Sequence, residues 1–235
     1  SIFMFISGIN FTLLLLFVNG KLKKFVHDAE LKWYFWSVTG FTIVIAAILY
    51  YNSSMGVEEA FRKSLFQVAS LHTSTGFATA DYMTWPAITW GMLTVIMIMG
   101  ACAGSTTGGI KSIRLVILEF KHIIHPNAVL PVRVNKQVIS PSIRSTVLAF
   151  TFLYTVLIIA GTLAMLGLGV GLTESLGCTI SSLGNMGPGL GLCGPAYSWN
   201  ELPDAAKWLM SFFMLLGRLE LFTVLLLFSS DFWKK

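Results

Sequence analysis

Thr73-Ser74-Thr75-Gly76-Phe77 and Asn185-Met186-Gly187-Pro188-Gly189 are short, polar and glycine-bearing, yet each is set between apolar elements. Each follows an amphipathic stretch too short to cross a bilayer and precedes a run long enough to do so. Lipid offers a free amide no hydrogen-bond partner, so non-helical backbone at membrane depth survives only when buried in protein or lining a water-filled cavity. The pattern predicts two re-entrant pore loops, and the chemistry open to them is coordination of an ion by main-chain carbonyls. The competing reading is an outer linker, which the apolar stretch Leu65 to Leu71 ahead of the first loop disfavours.

The elements that must hold these loops are membrane helices. Hydrophobic residues make up 55% of the chain and charged residues 11%, a balance that excludes an ordinary water-soluble domain. Four runs approach or exceed the roughly 18 to 20 residues that a spanning helix needs. They lie near Ile2 to Val18, Trp33 to Tyr51, Ser145 to Leu166 and Ala206 to Phe228. A fifth, Pro86 to Met99, is too short alone and leads through Gly100-Ala101-Cys102-Ala103-Gly104-Ser105-Thr106-Thr107-Gly108-Gly109 into a second helical stretch, Ile113 to Phe120. Four glycines among those ten residues predict a broken helix, as a static kink or as a loop with alternative backbone positions. The chain opens inside an apolar segment with no basic n-region and no cleavage site, so the first run reads as a truncated helix of a larger protein rather than a signal peptide.

Charge sets the orientation. Placing Lys21, Lys23, Lys24, Lys32, Lys111, Arg114, Lys121, Arg133, Lys136, Arg144, Lys234 and Lys235 on one side makes twelve of the sixteen Lys and Arg residues cytoplasmic, as the positive-inside rule requires. The net charge of +5 is thus topological, and no nucleic-acid partner is implied. Glu58, Glu59, Asp81, Glu174, Glu201 and Asp204 fall on the other side, against Arg62, Lys63 and Lys207. They read either as an acidic mouth that concentrates cations or as ordinary solvated loop charges. Cys102, Cys178 and Cys193 are odd in number and lack metal-ligand spacing, so they are expected to be small apolar residues rather than a disulfide or a zinc site. His122 and His125 lack a third ligand and read as basic cytoplasmic surface, and His72 as a hydrogen-bonded structural histidine. Lys111, Arg114 and Lys121 suit anionic lipid or a cytoplasmic partner.

An internal repeat organises the chain. A shift of 111 positions carries Ser64 onto Ser175, Leu65 onto Leu176, Ser70 onto Ser181 and Gly76 onto Gly187 without a gap, and the helix starting near Trp33 onto the one near Arg144. Each unit reads as helix, short pore helix, extended loop, helix. The expected fold is therefore all-α and integral to the membrane, with conduction at the repeat interface. The boundaries are 1–32 for the last helix of a preceding repeat and a cytoplasmic linker, 33–121 for one pore repeat, 122–143 for a cytoplasmic linker, and 144–235 for a second pore repeat.

With Asp81 and Trp85-Pro86 after the first loop, Ala103 to Lys111, Gly184 to Gly191, and Gly217-Arg218-Leu219-Glu220, the chain resembles the Trk/Ktr/HKT superfamily of potassium transporters, and within it the bacterial TrkH-type membrane subunits. The resemblance covers essentially the whole chain, as the C-terminal portion of such a subunit. It implies a multi-pass protein of the bacterial inner membrane, with 33–121 and 144–235 as repeats three and four of a fourfold-like pore. It also implies that Thr73, Ser74, Thr75, Gly76 and Phe77, with Asn185, Met186, Gly187 and Pro188, form part of a K+ selectivity filter. The carbonyls of Ser74, Thr75, Gly76, Asn185, Met186 and Gly187 would then face the ion, and Gly76 and Gly187 would be the filter glycines. Gly100, Gly104, Ser105, Thr106, Thr107, Gly108 and Gly109 would form an intramembrane gating loop. K+ would be the transported ion and no cofactor would be needed. The partners implied are a second copy, membrane lipid and cytosolic nucleotide-binding regulatory subunits of the TrkA type. No Walker loop or dinucleotide fingerprint occurs in this chain.

Arg218 sits in an apolar run, where a cation costs at least about 2.5 kcal/mol on the insertion scale unless it meets a cavity or a partner. The resemblance implies that it faces the pore below the filter and raises the barrier to cations, and an interhelical salt bridge or hydrogen bonds to loop carbonyls are the structural alternative. Three other functions stay in view: a transporter for Na+ or ammonium, an intramembrane serine protease built on Ser105 and His72, and a purely structural membrane subunit. The protease reading needs a base within hydrogen-bond reach of the serine.

Overall fold

The computed structural model describes residues 1–53, 55–102, 104–105, 109–110, 133–134, 137–138 and 141–219. Among them α1 (Ile2–Ser7), α2 (Phe11–Val18) and α3 (Leu22–Val26) lead into the long α4 (Ala29–Asn52), the shorter α5 (Val57–His72) and α6 (Ala87–Ile98). Two-residue strands β1 (Arg133–Val134) and β2 (Gln137–Val138) pair antiparallel, Arg133 opposite Val138 and Val134 opposite Gln137. The second unit again runs one long helix and then two shorter ones, α7 (Pro141–Gly167), α8 (Leu172–Gly184) and α9 (Asp204–Arg218).

Local chemistry accounts for the boundaries. The Asp28 carboxylate accepts from the amides of Glu30 and Leu31 at 2.8 and 3.0 Å, which satisfies two of the orphan N–H groups at the start of α4. The helices α5 and α8 open after an extended glycine, Gly56 and Gly171, with Glu58, Glu59 and Glu174 in their first turns, where a negative charge complements the helix dipole. Pro86 and Pro203 precede α6 and α9 at a φ of −54° each. Each follows a 3-10 turn capped by a side chain, Asp81 for Met83 and Ser198 for Asn200.

Two of the helices, Ala29–Asn52 and Ser145–Gly167, are long and apolar enough to cross a membrane. Only 33% and 17% of their most apolar windows are buried within the chain, so these apolar surfaces face outward and suit lipid rather than a soluble core. Two buried clusters lie between the helices. One joins α2, α4, α5 and α6 and takes in Ile180, Met186 and Leu190 from the second unit, so the units interlock. The other is built on α7, α8 and α9 and takes in Ile110.

Two expectations need correction. The run Ile2 to Val18 is not one helix: it breaks at Gly8–Asn10, where the Asn10 side chain accepts from Thr12 N and caps α2. The break is fixed from outside, since Gly8 O accepts from Cys102 N and Phe11 N donates to Gly104 O. Cys178 and Cys193 are not independent apolar residues but a disulfide; the odd count misled because Cys102 is buried elsewhere as a free thiol. Thr106, Thr107, Gly108, the stretch Ile113 to Phe120, the His122 and His125 pair, the basic cluster Lys111, Arg114 and Lys121, and the end of the last apolar run lie outside the described residues.

Candidate functional site

The two loops have the same backbone. Ser74 and Asn185, 111 positions apart, both adopt the left-handed conformation at φ 52°, rare for residues other than glycine, and Gly76 and Gly187 follow at φ 79° and 104°. Their hydrogen bonds repeat with the same offset. Ser74 N donates to Leu71 O and Thr75 N to Ser70 O, while Asn185 N donates to Ser182 O and Met186 N to Ser181 O. This is the left-handed C-cap by which a helix satisfies its last carbonyls and turns its chain away. In both units it ends a short helix at the loop, so the negative ends of the α5 and α8 dipoles are directed at the same region.

The loops meet. A Cβ built on Gly76 would lie 2.0 Å from Met186 O and 3.3 Å from Pro188 Cδ, so the first loop's glycine is packed against the second loop's carbonyl. At Gly187 the same construction finds no atom within 4 Å. Thr73 is buried and its hydroxyl contacts Ala69 O and Thr75 Oγ1, both at 2.7 Å. Ser70 Oγ donates to Phe77 O at 2.6 Å, tying the loop exit to α5. Phe77 itself is exposed, as is Gly187, whereas Met186 is buried.

The break after α6 is a loop and not a kink. Met99 leaves the helix, and Ile110 N donates to Ile98 O at 3.0 Å, so the chain returns to the level at which it departed. Gly104 and Gly109 sit at φ 76°. Ser105 is buried and its hydroxyl donates to Cys102 O at 2.7 Å. His72, at the end of α5, connects the two regions: Nδ1 meets Met99 O at 2.9 Å and Nε2 meets Ser37 Oγ at 2.8 Å. A carbonyl only accepts, so Nδ1 carries a proton and Nε2 is engaged by the Ser37 hydroxyl. Neither ring nitrogen serves Ser105, and the serine–histidine pair of the protease reading is not formed.

Arg218 closes α9, one residue after Gly217, whose Cβ would fall 2.0 Å from Leu183 O at the end of α8. Asn185 Nδ2 donates to Met214 O at 3.1 Å, so the second loop is bonded to the same helix. Ile110, at the end of the α6 loop, belongs to the buried cluster that also holds Leu216 of α9.

Three of the six acids on the opposite side have cations beside them. Glu58 pairs with Arg62 at 3.0 Å, Glu59 with Lys63 at 2.7 Å and Asp204 with Lys207 at 3.1 Å. Lys63 accordingly holds the Glu59 carboxyl below its ordinary value, first through the hydrogen bond and then through its charge. Such solvent-facing pairs contribute little to stability. With those three cations counted against the six acids, Asp81, Glu174 and Glu201 make up the negative surplus.

Gln67 and Tyr82 are not singled out by the sequence, and Cys178 and Cys193 only as small apolar residues, although all four are buried. Only the repeat offset, which places Cys178 opposite Gln67, marks one of them.

Taken together, long outward-facing apolar helices suited to a membrane and two short-helix-and-loop units between them make up the described chain. A family profile described as "TrkH: Cation transport protein" matches residues 1–235, and the chain belongs to that family. It is 33% identical over 242 residues to the Trk system potassium uptake protein TrkH of Halomonas elongata, covering 100% of this chain and 50% of that protein. It is 35% identical over 239 residues to the Trk system potassium uptake protein TrkG of Escherichia coli K12, covering 99% and 49%. The crystal structure of the potassium transporter TrkH from Vibrio parahaemolyticus superposes with a TM-score of 0.88 at 31% identity, over 99% of this chain and 52% of that one. The chain thus spans about half the length of the relatives it matches.

Proposed function

We propose that this chain forms part of a K+ uptake system of the bacterial inner membrane, in which the ion passes between carbonyls of the Thr73–Phe77 and Asn185–Pro188 loops. The observation that carries this reading is the packing of Gly76 against Met186 O, between two loops of matching left-handed backbone at the negative ends of two helices. Carbonyls of Ser74, Thr75, Gly76, Asn185, Met186 and Gly187 replace water around the dehydrated ion. Residues 33–121 and 144–235 act as two pore repeats, and the segment from Gly100 to Gly109 as the gate. The names of the relatives support K+ as the ion. The disulfide supports the orientation drawn from charge, because such bonds persist on the oxidising side of a bacterial inner membrane, here the side of the acidic loops. A second copy, lipid, and TrkA-type nucleotide-binding subunits on the cytoplasmic face complete the assembly.

The test is ion uptake by the full-length protein in cells that lack their own K+ transport. Rb+ entering with no preference over Na+ would overturn the assignment of the ion. In the same cells Arg218→Ala is expected to raise Rb+ flux several-fold with unchanged ion preference, since removing a cation from an ion path lowers a barrier of about 1 kcal/mol or more without touching the carbonyls. Unchanged flux would remove the electrostatic role and leave Arg218 as a packing residue of α9.

A further inference from the structure

Behind each loop, the chain that leaves it is tied back to the short helix that entered it, and the tie starts from the same helix position. In the first unit Gln67 Nε2 donates to Ala80 O at 2.8 Å. The residue 111 positions on is Cys178, and it is bonded covalently to Cys193. A hydrogen bond in one unit and a disulfide in the other thus perform the same fastening.

A third contact joins the units. Tyr82 is fully buried, and its hydroxyl donates to Gly189 O at 2.5 Å, across 107 positions of sequence. The amide of the same glycine donates to Cys193 O at 2.6 Å. Both polar groups of Gly189 are therefore held, one by the other unit and one by the residue of the disulfide. A Cβ on Gly189 would lie 3.0 Å from Gly177 O, so this peptide is also pressed against α8. Gly189 follows Gly187 by two residues, too few for the intervening chain to absorb a displacement of either.

We propose that Tyr82, Gln67 and the Cys178–Cys193 disulfide form a brace that fixes how closely the two loops approach, and that Tyr82 is a positioning residue for ion selectivity. The inference rests on the K+ path proposed above. Carbonyls that cannot close in leave a smaller, more strongly hydrated cation under-coordinated, so slack in the brace should admit Na+ before it reduces Rb+ entry. The alternative role for the same contacts is general packing, which would lower protein stability and leave ion preference alone.

Rb+ uptake under Na+ competition, with the amount of full-length protein in the membrane measured in parallel, separates these roles. Tyr82→Phe keeps the buried ring and removes one hydrogen bond. It is expected to lower the preference for Rb+ over Na+ about five-fold, the size of one neutral hydrogen bond, at wild-type protein levels. Gln67→Met should act in the same direction, and its combination with Tyr82→Phe should lower the preference further. The double variant Cys178→Ala/Cys193→Ala tests the covalent fastening; Tyr82→Phe answers alone if that variant does not accumulate. A Tyr82→Phe protein that melts earlier yet retains wild-type preference overturns the brace. Failure of the ion path itself looks different, because the wild type would then show no Rb+ preference to lose.

Discussion

Gly76→Ser is expected to lower the preference for Rb+ over Na+ by at least about ten-fold, and to do so more severely than Gly187→Ser. At φ 79° the first position already lies where a side chain is strained, at a cost of about 1 to 3 kcal/mol. To that is added an overlap that cannot be relieved by rotating a side chain, because the atom met at 2.0 Å is the main-chain oxygen of Met186, with its carbonyl carbon at 3.2 Å. The second loop must move away, carrying a coordinating carbonyl with it. Gly187, at φ 104°, shares the strain but has open space where its Cβ would stand. Its substitution should thus cost the strain alone. Uptake measured for both variants at equal membrane abundance checks the order; equal effects would mean that the loops do not touch in the working transporter, and unchanged preference in Gly76→Ser would remove its loop from the ion path.

That ordering was not legible in the sequence, where Gly76 and Gly187 are interchangeable members of one repeat. What the repeat did convey was local: short helix, left-handed turn, glycine and next helix, each set by residues within a few positions. The turn at Ser74 and Asn185 recurs because each stands within two residues of the end of a helix whose last carbonyls need amides from the following chain. The glycines between Gly100 and Gly109 likewise marked a departure from helix that the return of Ile110 to Ile98 O bears out. Contacts across the units were hidden for the opposite reason. Nothing near Tyr82 in the chain signals a bond to Gly189, and Gln67 and Cys178 look unrelated until the structure gives them the same job. The break at Gly8–Asn10 falls between these cases. Asn10 before an apolar run is a readable N-cap, but the amide and carbonyl that keep the break open belong to the α6 loop, about ninety positions away.

Gly217→Ala sets two opposed effects against each other at one helical position. An alanine in place of a helical glycine ordinarily stabilises by up to about 1 kcal/mol. Here the added methyl falls 2.0 Å from Leu183 O and 2.8 Å from Asn185 Nδ2, where α9 crosses the end of α8. Overpacking against well-packed neighbours costs typically about 1 to 3 kcal/mol, and a backbone carbonyl can yield less than a side chain can. The overlap should win, so the variant is expected to melt earlier than wild type in detergent. Gly40→Ala, in the middle of α4 with nothing within 4 Å of its Cβ, should be neutral or slightly stabilising and serves as the propensity control. The second consequence is functional. Asn185 bonds Met214 on the same helix, and Arg218 is the next residue, so a displaced α9 moves one residue of the second loop and the proposed barrier together. Ion preference and flux should therefore both change in Gly217→Ala, whereas Arg218→Ala alters flux alone. A Gly217→Ala protein as stable as Gly40→Ala would show that α9 stands off from Leu183, and with it the route by which this helix can act on the loop would be lost.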